Sequence, residues 1–208
     1  MIIAVDGPAA SGKGTIARAL AKHFGLPWLD TGLLYSAVGI RVMRAGGNPD
    51  DPADALAAVN FDDALLDDPA LRSEEAGRLA SRVSVHAAVR AALAEHQRAF
   101  ADRPGGAVID GRDIGTVIAP GADAKLFVTA SPEQRARRRH RDELSRNADA
   151  DYDAILADIV ERDRRDSERS ASPLVRADDA DLLDTSDLTI SAAVRRAIEL
   201  VEARKGKR

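Results

Sequence analysis

No cysteine occurs in the 208 residues, which removes disulfides, thiolate metal sites and thiol nucleophiles from the available chemistry. Aromatic residues make up only 3%. That is too few for the stacking platforms that hold single-stranded nucleic acid, and it leaves the core to Ala, Val, Ile and Leu. A basic excess is missing too. The chain has 30 Lys and Arg against 34 Asp and Glu, a formal charge of −4, so its overall charge draws it neither to nucleic acid nor to an anionic membrane. No apolar run approaches the roughly 20 residues of a membrane span, and Met1–Val5 is too short for a secretory leader. The expected setting is the cytoplasm, with no nucleic-acid or membrane partner. His23, His86, His96 and His140 lack metal-ligand spacing and fall singly in helix-like stretches, as surface or packing histidines do. Arg204–Arg208 reads as a frayed basic tail.

What is present is a soluble-type composition, 45% apolar and 31% charged, long enough for one α/β domain with small insertions. Short strand candidates are Ile2–Asp6, Pro27–Asp30, Ala107–Asp110, Ala124–Thr129 and Asp181–Asp184. Helix-like stretches are Ile16–Phe24, Leu33–Ala45, Ser73–Ala101, Pro132–Ala148, Tyr152–Ser170 and Ser191–Lys205. Strands alternating with helices predict a parallel sheet covered on both faces, with ligands beyond the carboxyl ends of the strands. Most of the strand candidates end on an acidic residue, so chemistry is expected to collect there. Gly46 to about Asp102 breaks the rhythm with turn signals and a long helical stretch, and reads as an insertion folding over one side of the site.

The first strand runs into Gly7-Pro8-Ala9-Ala10-Ser11-Gly12-Lys13-Gly14-Thr15. A strand, a G-x-x-x-x-G-K turn and a helix together form a loop that grips phosphate. The glycines let backbone N–H groups converge on oxygens, Lys13 adds a mobile charge, and the helix contributes its positive end. The residue after the lysine is normally a hydroxyl that ligates Mg²⁺; here it is Gly14, with Thr15 one further on. No direct protein ligand to the metal is therefore expected, and Mg²⁺ is expected to be held by phosphates and water. A G-K-G-T ending is closer to nucleoside monophosphate kinases than to GTPases or motor ATPases.

Thr31 follows the second strand, where it could either cap the helix Leu33–Ala45 or hold a second phosphate. Gly111-Arg112-Asp113 follows the third. Adjacent opposite charges on a glycine turn contribute little as a surface pair, whereas an arginine on phosphate makes a bidentate, charge-assisted contact. Two arginine-rich helices come next. Pro132–Ala148 carries Arg135, Arg137, Arg138, Arg139, Arg141 and Arg146, with Arg135, Arg138 and Arg139 sharing one face. In the second, Arg162, Asp166 and Arg169 fall at i, i+4 and i+7. Such runs are ordinarily solvated faces laced with ion pairs, but arginines on a closing flap also suit phosphoryl transfer, whose transition state spreads negative charge over three oxygens.

These stretches, together with Asp30-Thr31-Gly32-Leu33-Leu34-Tyr35, Asp110-Gly111-Arg112-Asp113-Ile114-Gly115-Thr116 and Glu161-Arg162-Asp163-Arg164-Arg165-Asp166 through Arg169, closely resemble bacterial cytidylate (CMP/dCMP) kinases from Met1 to at least Pro173. The resemblance implies a three-layer P-loop NTPase fold. Its core would comprise 1–45, 103–134 and 170–208, its monophosphate-binding insertion about 46–102 and its short arginine-rich lid about 135–169. It implies transfer of the γ-phosphoryl group of ATP, with Mg²⁺, to CMP or dCMP; a monomer is expected. By position, Gly7 to Thr15 would bind ATP. Thr31 and Arg112 would hold the acceptor phosphate, and Ser81, Arg90 and Asp113 would read cytosine. Arg162 and Asp166 would lie near ribose and phosphate, Arg169 near the transferred group, and Arg138 and Arg139 would be the lid arginines. Catalysis would rest on Lys13, Arg138, Arg139, Arg162 and Arg169. Cytosine suits such partners, because its N4 amino group donates while N3 and O2 accept. One departure stands out. The family usually has Tyr-Arg where this chain has Tyr35-Ser36, so weaker binding of CMP is expected. The rivals are a small kinase acting on UMP, AMP or a metabolite, a catalytically silent nucleotide-binding module, and, disfavoured by charge and composition, an RNA-binding protein.

Overall fold

The computed structural model describes residues 1–144 and 149–205. Five parallel strands form one sheet: β1 (Ile2–Asp6), β2 (Trp28–Asp30), β3 (Ala107–Gly111), β4 (Ala124–Thr129) and β5 (Asp181–Asp184), in the order β2-β3-β1-β4-β5. The two-residue alternation of a strand sorts β1 between two cores. Ile3 and Val5 face one side with Val108, Leu126 and Val128, under α1 (Lys13–Phe24) and α8 (Ile190–Lys205). Ala4 faces the other with Ile109, Leu34 and Val38, under α2 (Thr31–Arg44) and the insertion. The result is the three-layer α/β architecture expected from the sequence.

β2 turns directly into α2, whereas β1 reaches α1 through the six-residue loop Gly7–Gly12. Gly12 enters α1 at φ 89 and Gly25 leaves it at φ 66, left-handed conformations that glycine adopts without penalty. The cap of α2 is Asp30, whose carboxylate accepts the Gly32 N–H at 2.9 Å. Thr31 is therefore not the cap, because its hydroxyl donates to the Asp110 carbonyl at 2.8 Å and is committed to β3 instead.

The insertion contains α3 (Pro52–Ala57), two short tight turns (Asp63–Asp67 and Pro69–Arg72), α4 (Glu74–Val83) and α5 (Ala87–Ala101). The single helix expected over Ser73–Ala101 is two. Ser84 donates its hydroxyl to Ser81 O at 3.1 Å, and extended His86 starts α5 while its ring meets Pro49 O at 2.9 Å. These contacts pin a break that helix propensity alone would have bridged. A single wide turn, Ile114–Ile118, follows β3. The arginine-rich pair is α6 (Pro132–Leu144) and α7 (Tyr152–Glu168), packed through Ala136, Ile155 and Ile159. Arg146 lies outside the described residues, as do Gly206, Lys207 and Arg208. Arg204 is no frayed end, since it pairs with Asp181 at 2.8 Å. Among the described residues no helix is long and apolar enough to cross a membrane.

Candidate active site

Two cavities open beyond the carboxyl ends of the strands, the first against the phosphate loop and the second against the residues that follow β2 and β3. The loop is tightly shaped. Gly7 (φ 151) lies so close to β4 that a Cβ would stand 1.9 Å from Val128 O, and Ala10, although not glycine, is held at φ 58. Such strain persists where a turn must aim its amides. Ser11 is fully buried and its hydroxyl has no partner. Lys13 begins α1, half-buried. Burial pushes its ammonium down and Arg112 adds to the fall, while Asp110 and Asp30 work against it.

A cavity of about 510 Å³ is lined by Ala10, Ser11, Gly12, Thr15, Arg138, Arg139 and the loop after β5. Arg138 is docked on Thr185, donating to its hydroxyl at 3.0 Å and to its carbonyl, and Thr185 in turn donates to Ser11 O. Arg139 bridges Glu143 of its own helix and Glu74 of α4, at 3.0 and 2.9 Å. Arg135 does not join them. It is buried, donating to the Ala130 and Ala9 carbonyls and pairing with Asp163 at 2.5 Å. The face expected for Arg135, Arg138 and Arg139 is therefore split. Arg135 ties α6 to α7 and holds the phosphate loop through the Ala9 carbonyl, whereas Arg138, Arg139 and Arg141 reach the cavity. Gly7, Ala9 and Gly14 shape the loop without lining either cavity, and Pro8 faces a separate open cleft.

The second cavity gathers Thr31, Ser81, Arg90, Arg112, Asp113, Arg162, Asp166 and Arg169. Asp166 accepts from Arg112 at 2.8 Å and lies 3.8 Å from Arg169. Burial works against its charge, but Arg112 and Arg162 overcome it and hold the carboxyl below its ordinary value. Arg112 is likewise penalised by burial and held up by Asp166. Arg90 pairs with Asp113 at 2.5 Å and lies 5.5 Å over the Tyr35 ring. Burial and the neighbouring Arg112 lower Arg162 to about 10. Ser81 Oγ, Arg90 Nε, Arg162 Nε and one terminal nitrogen of Arg169 are all buried without a partner. Arg169 is the residue that ends α7, so its side chain enters the cavity from just beyond the helix. Ser36 is buried in α2 and does not line the cavity.

Mg²⁺ carried by phosphates and water would need acceptors for its hydration shell. Among the described residues no three acidic or histidine side chains are grouped to hold a metal. Thr15 lines the first cavity, and the Asp30 and Asp110 carboxylates act on the Lys13 charge. Burial and Asp30 push the Asp110 carboxyl up, and the Trp28 indole N–H donates to it at 2.7 Å. Trp28, Asp30, Asp110 and Tyr35 were not singled out for the site from the sequence. The acidic strand ends were a signal for the two carboxylates; nothing local marked Trp28.

The model of one family, cytidylate kinase, matches residues 3–203. The chain belongs to the cytidylate kinase family. It is 59% identical over 208 residues to the cytidylate kinase of Xanthobacter autotrophicus, covering 100% of both chains. It is 56% identical over 210 residues to that of Rhodopseudomonas palustris, covering 100% of this chain and 99% of the relative. Among solved structures, a gluconokinase from Sinorhizobium meliloti superposes with a TM-score of 0.53 over 99% of this chain and 94% of its own, at 19% identity, which shows a shared fold and no more. Within the cytidylate kinase family, the second cavity is where this chain gathers every acceptor-side residue expected from its motifs.

Proposed function

We infer that this protein transfers the γ-phosphoryl group of ATP to CMP or dCMP, releasing ADP and CDP or dCDP. The observation that carries the assignment of the two cavities is the set of orphaned donors at Ser81, Arg90, Arg162 and Arg169. All four line one cavity, and a buried donor without a partner costs about 1–3 kcal/mol unless a ligand supplies one. That cavity holds four arginines against two aspartates, an excess of positive charge suited to a nucleotide phosphate.

On this reading Arg112 and Thr31 hold the acceptor phosphate, and Arg162 and Asp166 fix the ribose-phosphate. Arg90 and Ser81 face the cytosine acceptors while Asp113 takes the N4 amino group. Uracil reverses the polarity at N3 and C4, so it would leave these partners unsatisfied. The loop Gly7 to Thr15 and Lys13 hold the ATP phosphates. Arg138 reaches the transferred group by exchanging its bonds to Thr185, with Arg139 and Arg169 completing the neutralisation. A phosphate monoester is already a competent nucleophile, so no general base is required; positioning and preorganised charge carry the rate. When bound, Mg²⁺ would neutralise β- and γ-phosphate oxygens, and Asp30 and Asp110 would accept from its water shell. The insertion 46–102 acts as the acceptor-binding arm and 135–169 as the lid. The protein works as a cytoplasmic monomer, which gel filtration with light scattering tests for the oligomeric part.

The test is a coupled assay with CMP, dCMP, UMP and AMP at fixed ATP. Turnover confined to the two cytidylates is expected. Equal or better turnover with UMP or AMP would assign another acceptor, and ATP and CMP binding without ADP formation would identify a silent binding module.

A further inference from the structure

Asp6 ends β1, one residue before the phosphate loop begins. Its carboxylate is 5% exposed and spends both oxygens on one target: Oδ1 accepts the Ile114 N–H at 2.8 Å and Oδ2 the Gly115 N–H at 2.7 Å. Those two residues follow Arg112-Asp113 directly and open the wide turn Ile114–Ile118, which closes with the Ile118 N–H on Asp113 O. The fit leaves no slack. A Cβ at Gly115 would lie 3.3 Å from Asp6 Oδ2 and 3.1 Å from Lys125 Cδ. Arg112 and Asp113 project into the second cavity from this turn, while the strand carrying Asp6 continues into the loop that faces the first.

We propose that Asp6 is a positioning residue that sets the turn bearing Arg112 and Asp113 in register with the phosphate loop, acting on the acceptor nucleotide through the Ile114 and Gly115 amides. This rests on the acceptor-side reading given above. A buried carboxylate holding two amides makes charge-assisted hydrogen bonds, stronger than neutral ones. It thereby fixes the height of the turn above the sheet and the distance between the two substrates. Protonation would replace one acceptor by an O–H and remove the charge. The charged groups facing it are Asp113 and Arg112 from the turn and Lys125 from β4, whose ammonium is engaged by Asp179 at 2.8 Å. Burial raises the Asp6 carboxyl to about 6, with Asp113 adding to the rise and the two amides opposing it. The tie is therefore firm at neutral pH and loosens in mild acid.

The conservative variant Asp6→Asn keeps size and one carbonyl acceptor. Its KM for CMP is expected to rise roughly tenfold, with KM for ATP within about twofold and kcat little changed, the pattern of lost acceptor binding. In unliganded wild-type protein the Ile114 and Gly115 amide resonances are expected to titrate with a midpoint near 6 and to stand still in the variant. A merely structural carboxylate would lower the active fraction and melting temperature and leave both KM values alone. Arg112→Lys is measured alongside. If it leaves KM for CMP unchanged, the acceptor-side reading itself fails. If it raises that KM while Asp6→Asn does not, or if the two amides do not titrate, the proposed tie is overturned. Should Asp6→Asn not fold, the wild-type amide titration decides.

Discussion

Lys13 lines neither cavity and sits among opposed charges: Asp110 and Asp30 support its charge, while burial, Arg112 and Arg162 oppose it. A cation kept there against such opposition is worth its place only when anionic oxygens arrive. Lys13→Ala is expected to lower kcat by roughly 10²–10³ or more, as the loss of a preorganised charge does, while the melting temperature stays near wild type. A kcat within a few-fold would overturn its role. At Ser36, where the resemblance to cytidylate kinases leads to an expected arginine, Ser36→Arg is expected to lower KM for CMP modestly. An unchanged or higher KM would show that the four arginines already in the cavity suffice. The phosphate loop and the Gly111-Arg112-Asp113 turn were legible because their chemistry demands residue types at fixed spacing. Arg135 was not. Helical spacing says which arginines share a face, but not that one of them will be drawn under the loop by Asp163 and two carbonyls. Thr31 was ambiguous for a related reason: cap or cavity depends on where β3 presents the Asp110 carbonyl.

Every strand was readable to within a residue, since buried parallel strands are short apolar runs closed by polar residues. The insertion was harder. Its long helix breaks at Ser84 and His86 through contacts to Ser81 and Pro49, partners that propensity does not register. That break brings Ser81 of α4 and Arg90 of α5 into one cavity, and it has a dynamic consequence. The free space there is about 40 Å³, against about 300–1,000 Å³ for typical ligand clefts. The nucleotide can enter only if the elements lining the cavity, α4 and α5 of the insertion and α7, move apart. Hydrogen exchange should detect this. CMP alone is expected to change protection along Glu74–Val83 and Ala87–Ala101, whereas ATP alone is expected to act on Pro132–Leu144 and the phosphate loop. Identical patterns for the two nucleotides would show that the insertion is no separate arm.

Over the whole molecule, a net charge of −4 coexists with a site crowded with arginine, so the acidic surface and the basic site are segregated. Stability should carry that division as a dependence on pH. Asp166, held below its ordinary value of 3.8 by Arg112 and Arg162 against burial, contributes stability above that value and loses it as pH falls through its lowered one. Asp6 does the reverse. Its carboxyl is raised from 3.8 to about 6, so between those values the folded chain holds a proton that the unfolded chain has released, and rising pH withdraws stability. With both ends of that window, the loss is of order 1–3 kcal/mol. Urea midpoints measured from pH 4 to 8 on wild type and Asp6→Asn isolate the effect, because the other carboxylates are common to both. The wild type is expected to lose stability relative to the variant up to about pH 6.5, by the amount just given, after which the difference is constant. A difference that is flat throughout would mean that Asp6 ionises as an ordinary carboxylate. In that case its two amide bonds cancel the cost of burial, the amide titration moves down to the ordinary carboxylate range, and the turn stays tied through mild acid.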